Sequence, residues 1–305
     1  CSSLAGRMSL VELYPLTLPE MLTYSWTDAV GESRMVCWLS GEAGDDSIFA
    51  GIPQRDEGYA RTGPLLRNYL QFGGMPAIVD EVVDDEEKIE WLWNYIQTYL
   101  QRDVRDLANL RELDPFVRAQ RTLAGMTGQL LNISNLARLA GIAPRTARRF
   151  IAYLEISYQV ILLQPWFRNL NKRLVKAAKV HFLDPGVQRV LLSRRGEVTG
   201  GEFESAVIAE IYKQVRNSRL SVDFYHLRTV DGKEVDLLLE LEEGFVPIEI
   251  KMVDRVSPTD ARHLRGLEEI LDKPVLHALV LSNDDRIREL GEGITGLPVG
   301  WFLGR

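Results

Sequence analysis

Residues 201 to 281 lay down a series of elements whose order leaves few folds open. Gly201-Glu202-Phe203-Glu204 opens a helix with Val207, Ile208 and Ile211 on its apolar face. Val222 to Arg228 alternates as a strand, and Val230-Asp231-Gly232-Lys233 supplies tight-turn chemistry. A second apolar run spans Val235–Leu241, Glu242-Glu243-Gly244 makes a polar turn, and a third run spans Phe245–Met252. Ser257-Pro258 then reads as an N-cap with proline at the first helical position. Leu264, Leu267 and Leu271 follow at helical spacing, and Val275 to Leu281 reads as a buried fourth strand. The order α-β-β-β-α-β predicts an α/β core.

Polar residues stand at particular places on that core. Glu249 and Lys251 are two apart, so on a strand they share a face. Asp236 lies on the neighbouring run, which brings three polar groups to one end of a sheet. Two carboxylates, Asp236 and Glu249, can hold a hard divalent cation, Mg2+ or Mn2+, through oxygen ligands. Lys251 can orient or activate a water, or stabilise developing negative charge. This is the D…(D/E)xK arrangement of metal-dependent phosphodiesterases. An acid-x-Lys triplet alone also fits a solvated strand face carrying a Glu–Lys pair. The three strands in series favour the site. On the preceding helix Glu204 is a further candidate ligand, whereas Glu210 reads as a solvated helix residue.

At 305 residues the chain has room for several domains. Cys1 and Cys37 cannot make a disulfide framework, and His181, His226, His263 and His277 show no ligand spacing, which argues against zinc. No run reaches the length needed to span a membrane, and a reducing, cytoplasmic setting is expected. Charge becomes informative once divided. Residues 145 to 179 hold eight basic residues against Glu155 alone, a net +7, which leaves the rest of the chain at −14 beside a whole-chain −7. Such concentration is the footprint expected of phosphate-backbone binding, with DNA as the partner. The six carboxylates between Asp80 and Glu87 read as a solvated loop or helix start.

Upstream, Met8 to Leu13 alternates like a strand before Pro15 and Pro19. Residues 23 to 122 read as mostly helical, with Leu65, Leu66, Tyr69 and Leu70 on one face ended by Gly73-Gly74. Ile89, Trp91, Leu92, Tyr95, Ile96 and Leu100 form another face. Ser134 can cap a short helix to Ala140, Gly141 turns, and a second helix runs from Pro144 to about Glu155. Ala147, Phe150, Ile151 and Leu154 would face inward, and Arg145, Arg148 and Arg149 outward. With strands at Tyr158–Leu163 and Lys179–Leu183 this predicts a winged helix-turn-helix, whose basic second helix would meet DNA together with Lys172 and Arg173. Winged helices also serve as protein-interaction modules; the local charge favours nucleic acid.

Taken in order, these stretches resemble a group of bacterial and archaeal AAA-type ATPases with a C-terminal domain of unknown function, distantly like the PD-(D/E)xK nucleases. The resemblance rests on Ser3-Leu4-Ala5-Gly6-Arg7, Leu13-Tyr14-Pro15-Leu16-Thr17-Leu18-Pro19-Glu20 and Gly73-Gly74-Met75-Pro76. It continues through Thr127-Gly128-Gln129-Leu130-Leu131-Asn132, Asn171-Lys172-Arg173-Leu174-Val175-Lys176 and Phe182-Leu183-Asp184-Pro185-Gly186. Phe203-Glu204, Glu234-Val235-Asp236 and Glu249-Ile250-Lys251 complete it. Family members begin with a nucleotide-binding domain, but no G-x-x-x-x-G-K-[ST] occurs here, and the nearest Gly-rich stretch, Gly41 to Gly44, lacks the Lys. The resemblance implies the C-terminal portion of such an ATPase, with ATP bound only in the intact family protein.

The resulting expectation is an α/β multi-domain chain: residues 1–22 the tail of an ATPase core, 23–122 a helical lid-like region, 123–198 a winged helix and 199–305 a nuclease-like α/β domain. Two functions follow. One is a metal-dependent nuclease in a DNA-associated ATPase, with Asp236, Glu249 and Glu204 on the metal and Lys251 assisting. The other is a regulatory module that binds DNA, a partner protein or itself without catalysis.

Overall fold

The computed structural model describes residues 11–25, 27–44, 48–49, 57–79, 83–99, 113–168, 177–229 and 232–305. The architecture is mixed α/β. Helices α1 (Leu18–Met21), α2 (Arg34–Leu39), α3 (Glu57–Phe72), α4 (Asp85–Tyr99), α5 (Asp114–Ala124), α6 (Ile133–Ala140) and α7 (Pro144–Ile156) come first. Strands β1 (Val160–Pro165) and β2 (Lys179–Phe182), then α8 (Pro185–Leu191) and α9 (Gly200–Asn217), follow. Strands β3 (Asp223–Arg228), β4 (Glu234–Glu240), β5 (Phe245–Lys251), β6 (Ala278–Ser282), β7 (Arg288–Glu289) and β8 (Ile294–Pro298) lead into α10 (Val299–Leu303).

The strands of the described residues form one eight-stranded sheet, ordered β2-β1-β3-β4-β5-β6-β8-β7. β3, β4 and β5 are an antiparallel meander, while β5, β6 and β8 run parallel. β1 and β2 join through a short parallel seam, Gln164 to Tyr225 and Pro165 to His226. The sheet therefore runs unbroken from residue 160 to residue 298. Helix α9 covers one face: its Phe203, Val207, Ile208 and Ile211 pack with Leu163, Leu237, Ile248, Ile250 and Leu279. Val235, Leu238, Phe245 and Val280 face the other way, onto Leu264, Leu267 and Leu271. A third core lies among α4 to α8 and the outer side of β1 and β2. Each such buried side chain contributes about 1.5–3 kcal/mol of transfer free energy, so the sheet is clamped from both sides.

Local chemistry accounts for the elements. In α9, Thr199 caps and Glu202 closes a capping box. Gly141, at φ 67°, ends α6 in the left-handed region and lets Pro144 open α7. Ala147, Phe150, Ile151 and Leu154 are buried, while Arg145, Arg148 and Arg149 are exposed.

Several expectations need correction. The cap of α6 is Asn132, whose side chain accepts from Asn135 N at 2.9 Å, two residues before the Ser134 cap expected from the sequence. Helical spacing after Ser257 yields turns and a single 3-10 segment, Arg262–Leu264. There Asp260 accepts from both the backbone and the hydroxyl of Ser257, and Gly266 turns left-handed at φ 64°. The leucines are buried all the same. Val11 to Leu13 form no strand, and Met8 to Leu10 lie outside the described residues. Glu210 is buried, not solvated: it accepts from Leu18 N at 2.6 Å and pairs with Lys213 at 2.8 Å, tying α1 to α9. Strands β7 and β8 and helix α10 lie beyond the elements anticipated from the sequence.

Candidate functional site

Neighbouring strand ends and one helix turn gather charge at one end of the sheet. β5 finishes in Glu249-Ile250-Lys251, β4 begins with Glu234-Val235-Asp236, β2 begins at Lys179, and α9 presents Glu204. On β5, Ile248 and Ile250 enter the core beneath α9, so Glu249 and Lys251 occupy the alternate face. β4 departs from simple alternation. Tyr225 pairs with Leu238 and Leu227 with Val235, a three-residue step opposite a two-residue step. This bulge lets Val235 and Leu238 both reach the outer core. It also frees Asp236 to turn onto the start of the next strand pair, where it accepts from Ile250 N at 3.0 Å.

Lys179 is the residue that the sequence reading missed. It is 3% exposed and its ammonium lies 2.9 Å from Glu234, 3.5 Å from Glu204 and 3.6 Å from Asp236. Burial favours its neutral form, but the Glu204 and Asp236 charges and the Glu234 contact outweigh this and raise its pKa. Lys251 reaches Glu249 at 2.6 Å. Glu204 and Glu249 are each pushed up to about 7, first by burial and next by the Asp236 charge, against the pull of Lys179 and Lys251. His181 and His226 lie beside Lys179, and burial pushes them down to about 3 and about 4, so both rings are neutral at pH 7.

Four carboxyl groups meet two ammonium groups, burial and the Asp236 charge keep Glu204 and Glu249 part-protonated near neutral pH, and Glu249 Oε2 is buried without a hydrogen-bond partner. A divalent cation fits such a donor set, because it can displace those protons and prefers carboxylate oxygen. Glu204 and Asp236 point oxygens at the Lys179 ammonium while Glu249 pairs with Lys251, so the three carboxyl groups are not gathered on a point. Among the described residues, the three-ligand set with all atoms within 4.8 Å of one another is Glu32, Cys37 and Glu42, at the surface. The nucleic-acid candidates divide: Arg145, Arg148 and Arg149 are exposed on α7, while Lys172 and Arg173 lie outside the described residues. None of the described helices is long and apolar enough to cross a membrane.

Residues 63–197 match the family described as Domain of unknown function (DUF8612), and residues 199–302 match Domain of unknown function (DUF4143). Similar curated proteins include the uncharacterized protein Rv2008c of Mycobacterium tuberculosis and the uncharacterized protein Mb2031c of Mycobacterium bovis. Each is 29% identical over 261 residues, which is 83% of this chain and 56% of the relative. The chain thus spans about half the length of the curated relatives it matches. No solved structure matches it. The chain is thus similar over most of its length to those mycobacterial proteins, and its successive stretches match the DUF8612 and DUF4143 families.

Proposed function

We propose that the charged end of the sheet is a divalent-cation site for phosphodiester hydrolysis, within a nucleotide-driven, DNA-associated protein. The observation that carries the reading is the cluster of carboxyl groups, above all the buried and unpartnered Oε2 of Glu249. Asp236 and Glu249 would hold Mg2+ or Mn2+, with Glu204 joining from α9. The ion would supply Lewis acidity and a bound water of lowered pKa. Lys251, half-exposed beside Glu249, would steady the charge that develops on a phosphoryl oxygen. The DUF4143 match and the AAA-type resemblance support the ATP-linked setting, and the exposed arginines of α7 support a nucleic-acid partner.

Titration with Mn2+, read by calorimetry, tests the site. One ion is expected to bind, with affinity reduced at least about 100-fold in Glu249→Gln, and Asp236→Asn is expected to abolish Mg2+- or Mn2+-dependent cleavage of DNA or RNA. A specific observation favours a second reading, a non-catalytic binding module: Lys179 already sits among three carboxylates, as in a structural ion-pair cluster. Carboxylate-independent Mn2+ uptake, or none, would leave that reading standing. The role of α7 is tested separately. Arg148→Ala with Arg149→Ala should lower the slope of log affinity for DNA against log salt by about 2, roughly 1 per lost phosphate contact.

A further inference from the structure

We propose that the cavity beside the carboxylate cluster seats an unpaired nucleobase, so that the preferred ligand is single-stranded or frayed nucleic acid; as a statement about substrate, this rests on the phosphodiester reading above. The cavity has a volume of about 570 Å3 and lies where β1 and β3 end. Trp166 is part of its lining, 2% exposed and held edge-on against Phe245. Half-buried Phe167 and Ile270 supply further apolar wall, and exposed Arg168 and Arg228 stand in the lining. An apolar cavity with guanidinium groups in its lining suits a base whose flanking phosphates stay in water.

One polar group singles out a base over a purely apolar occupant. His226 is 1% exposed and lines the cavity, with Nδ1 buried and lacking a hydrogen-bond partner. Its Nε2 faces the Ala177 carbonyl at 3.4 Å. A buried ring nitrogen without a partner costs free energy, and a turn of the ring toward the cavity would let a base edge, with its donors and acceptors, return it. The cavity is also one strand away from the carboxylates. Arg228 pairs across the ladder with Glu234, two residues before Asp236, and Ala177 lies two residues before Lys179. A base paired inside a duplex reaches such a cavity only after unstacking, at a cost in free energy, so an unpaired strand is favoured.

Fluorescence anisotropy on the full chain in EDTA, with labelled oligothymidylate and a blunt duplex of equal length, tests this. Oligothymidylate should bind about tenfold more tightly than the duplex, and Phe167→Ala should remove about tenfold of that affinity. Duplex affinity and the circular dichroism spectrum should not change in that variant, and Arg228→Ala should weaken single-strand binding as well. Equal affinity for the two ligands, or unchanged oligothymidylate binding in Phe167→Ala, overturns the proposal. Metal is absent from this assay, so the two readings fail separately. Selective binding without Mn2+ uptake upholds the base cavity and sinks the nuclease, while cleavage without strand preference does the reverse.

Discussion

Lys179 decides the electrostatics at the end of the sheet. A buried ammonium survives only where carboxylates compensate its lost hydration, and three do so here. The converse also holds, because the carboxylates depend on it. Lys179→Met would leave Glu204, Glu234 and Asp236 facing one another without it, and should cost about 3–5 kcal/mol at neutral pH. Urea denaturation measures this, and added Mn2+ should recover part of the loss if the cluster holds a cation. A cost near zero would show that the lysine is not compensating the acids. Little of this was legible in the sequence. Lys179 counted only as one of eight basic residues, because its partners lie on α9 and β4 and meet it only after β2 has paired with β1. Asp236, Glu249 and Lys251 were legible because strand period and a short acid-x-Lys spacing are local.

At the scale of elements, α9 is the member that carries both core and charge. Its capping box is also an electrostatic junction. Glu202 accepts from Thr199 N at 2.8 Å and pairs with Arg189 and Arg194, each at 3.1 Å. Burial raises its pKa, but the Thr199 hydrogen bonds and the two arginines overcome this and hold it below the usual range. A carboxyl depressed in the folded state adds stability that is complete above its unfolded pKa, about 4.3, and is lost as pH falls through the folded value. Glu202→Gln should therefore cost about 1–3 kcal/mol at pH 7, with the difference from wild type shrinking toward pH 3. Urea midpoints across that range provide the check; a difference independent of pH would mean that charge is not the cause. Thr199-x-x-Glu202 is a local signal, so this start is readable from sequence. The segment after Ser257 was not, since helical spacing of Leu264, Leu267 and Leu271 is equally served by turns that bury the same side chains. The bulge in β4 leaves no signal either, because it arises from pairing with β3.

For the whole molecule, the consequence lies in the continuity of the sheet. The stretch that matches DUF8612 supplies β1, β2 and Lys179, and the stretch that matches DUF4143 supplies Glu204, Asp236 and Glu249. The charged cluster is thus assembled across the seam between β1 and β3, which has two registered pairs and the bond from Trp166 N to His226 O at 2.7 Å. A seam that narrow would be weak by itself. It is backed by the α9 core, where Leu163 of β1 packs with Leu237 and Ile248, and by the buried ion pairs of Lys179. Unfolding one side would expose that core and strand charges on the other, which couples the two sides. Denaturation followed by far-UV circular dichroism and by tryptophan fluorescence should therefore give one coincident transition. The fluorophores sample both sides, with Trp91 and Trp93 on α4 and Trp166 and Trp301 beside the sheet. Two separated transitions would mean that the seam yields first, and that the carboxylates keep their fold without Lys179. In Lys179→Met the coupling through charge is gone while the apolar seam remains, so any broadening or splitting of the transition in that variant measures how much of the cooperativity is electrostatic.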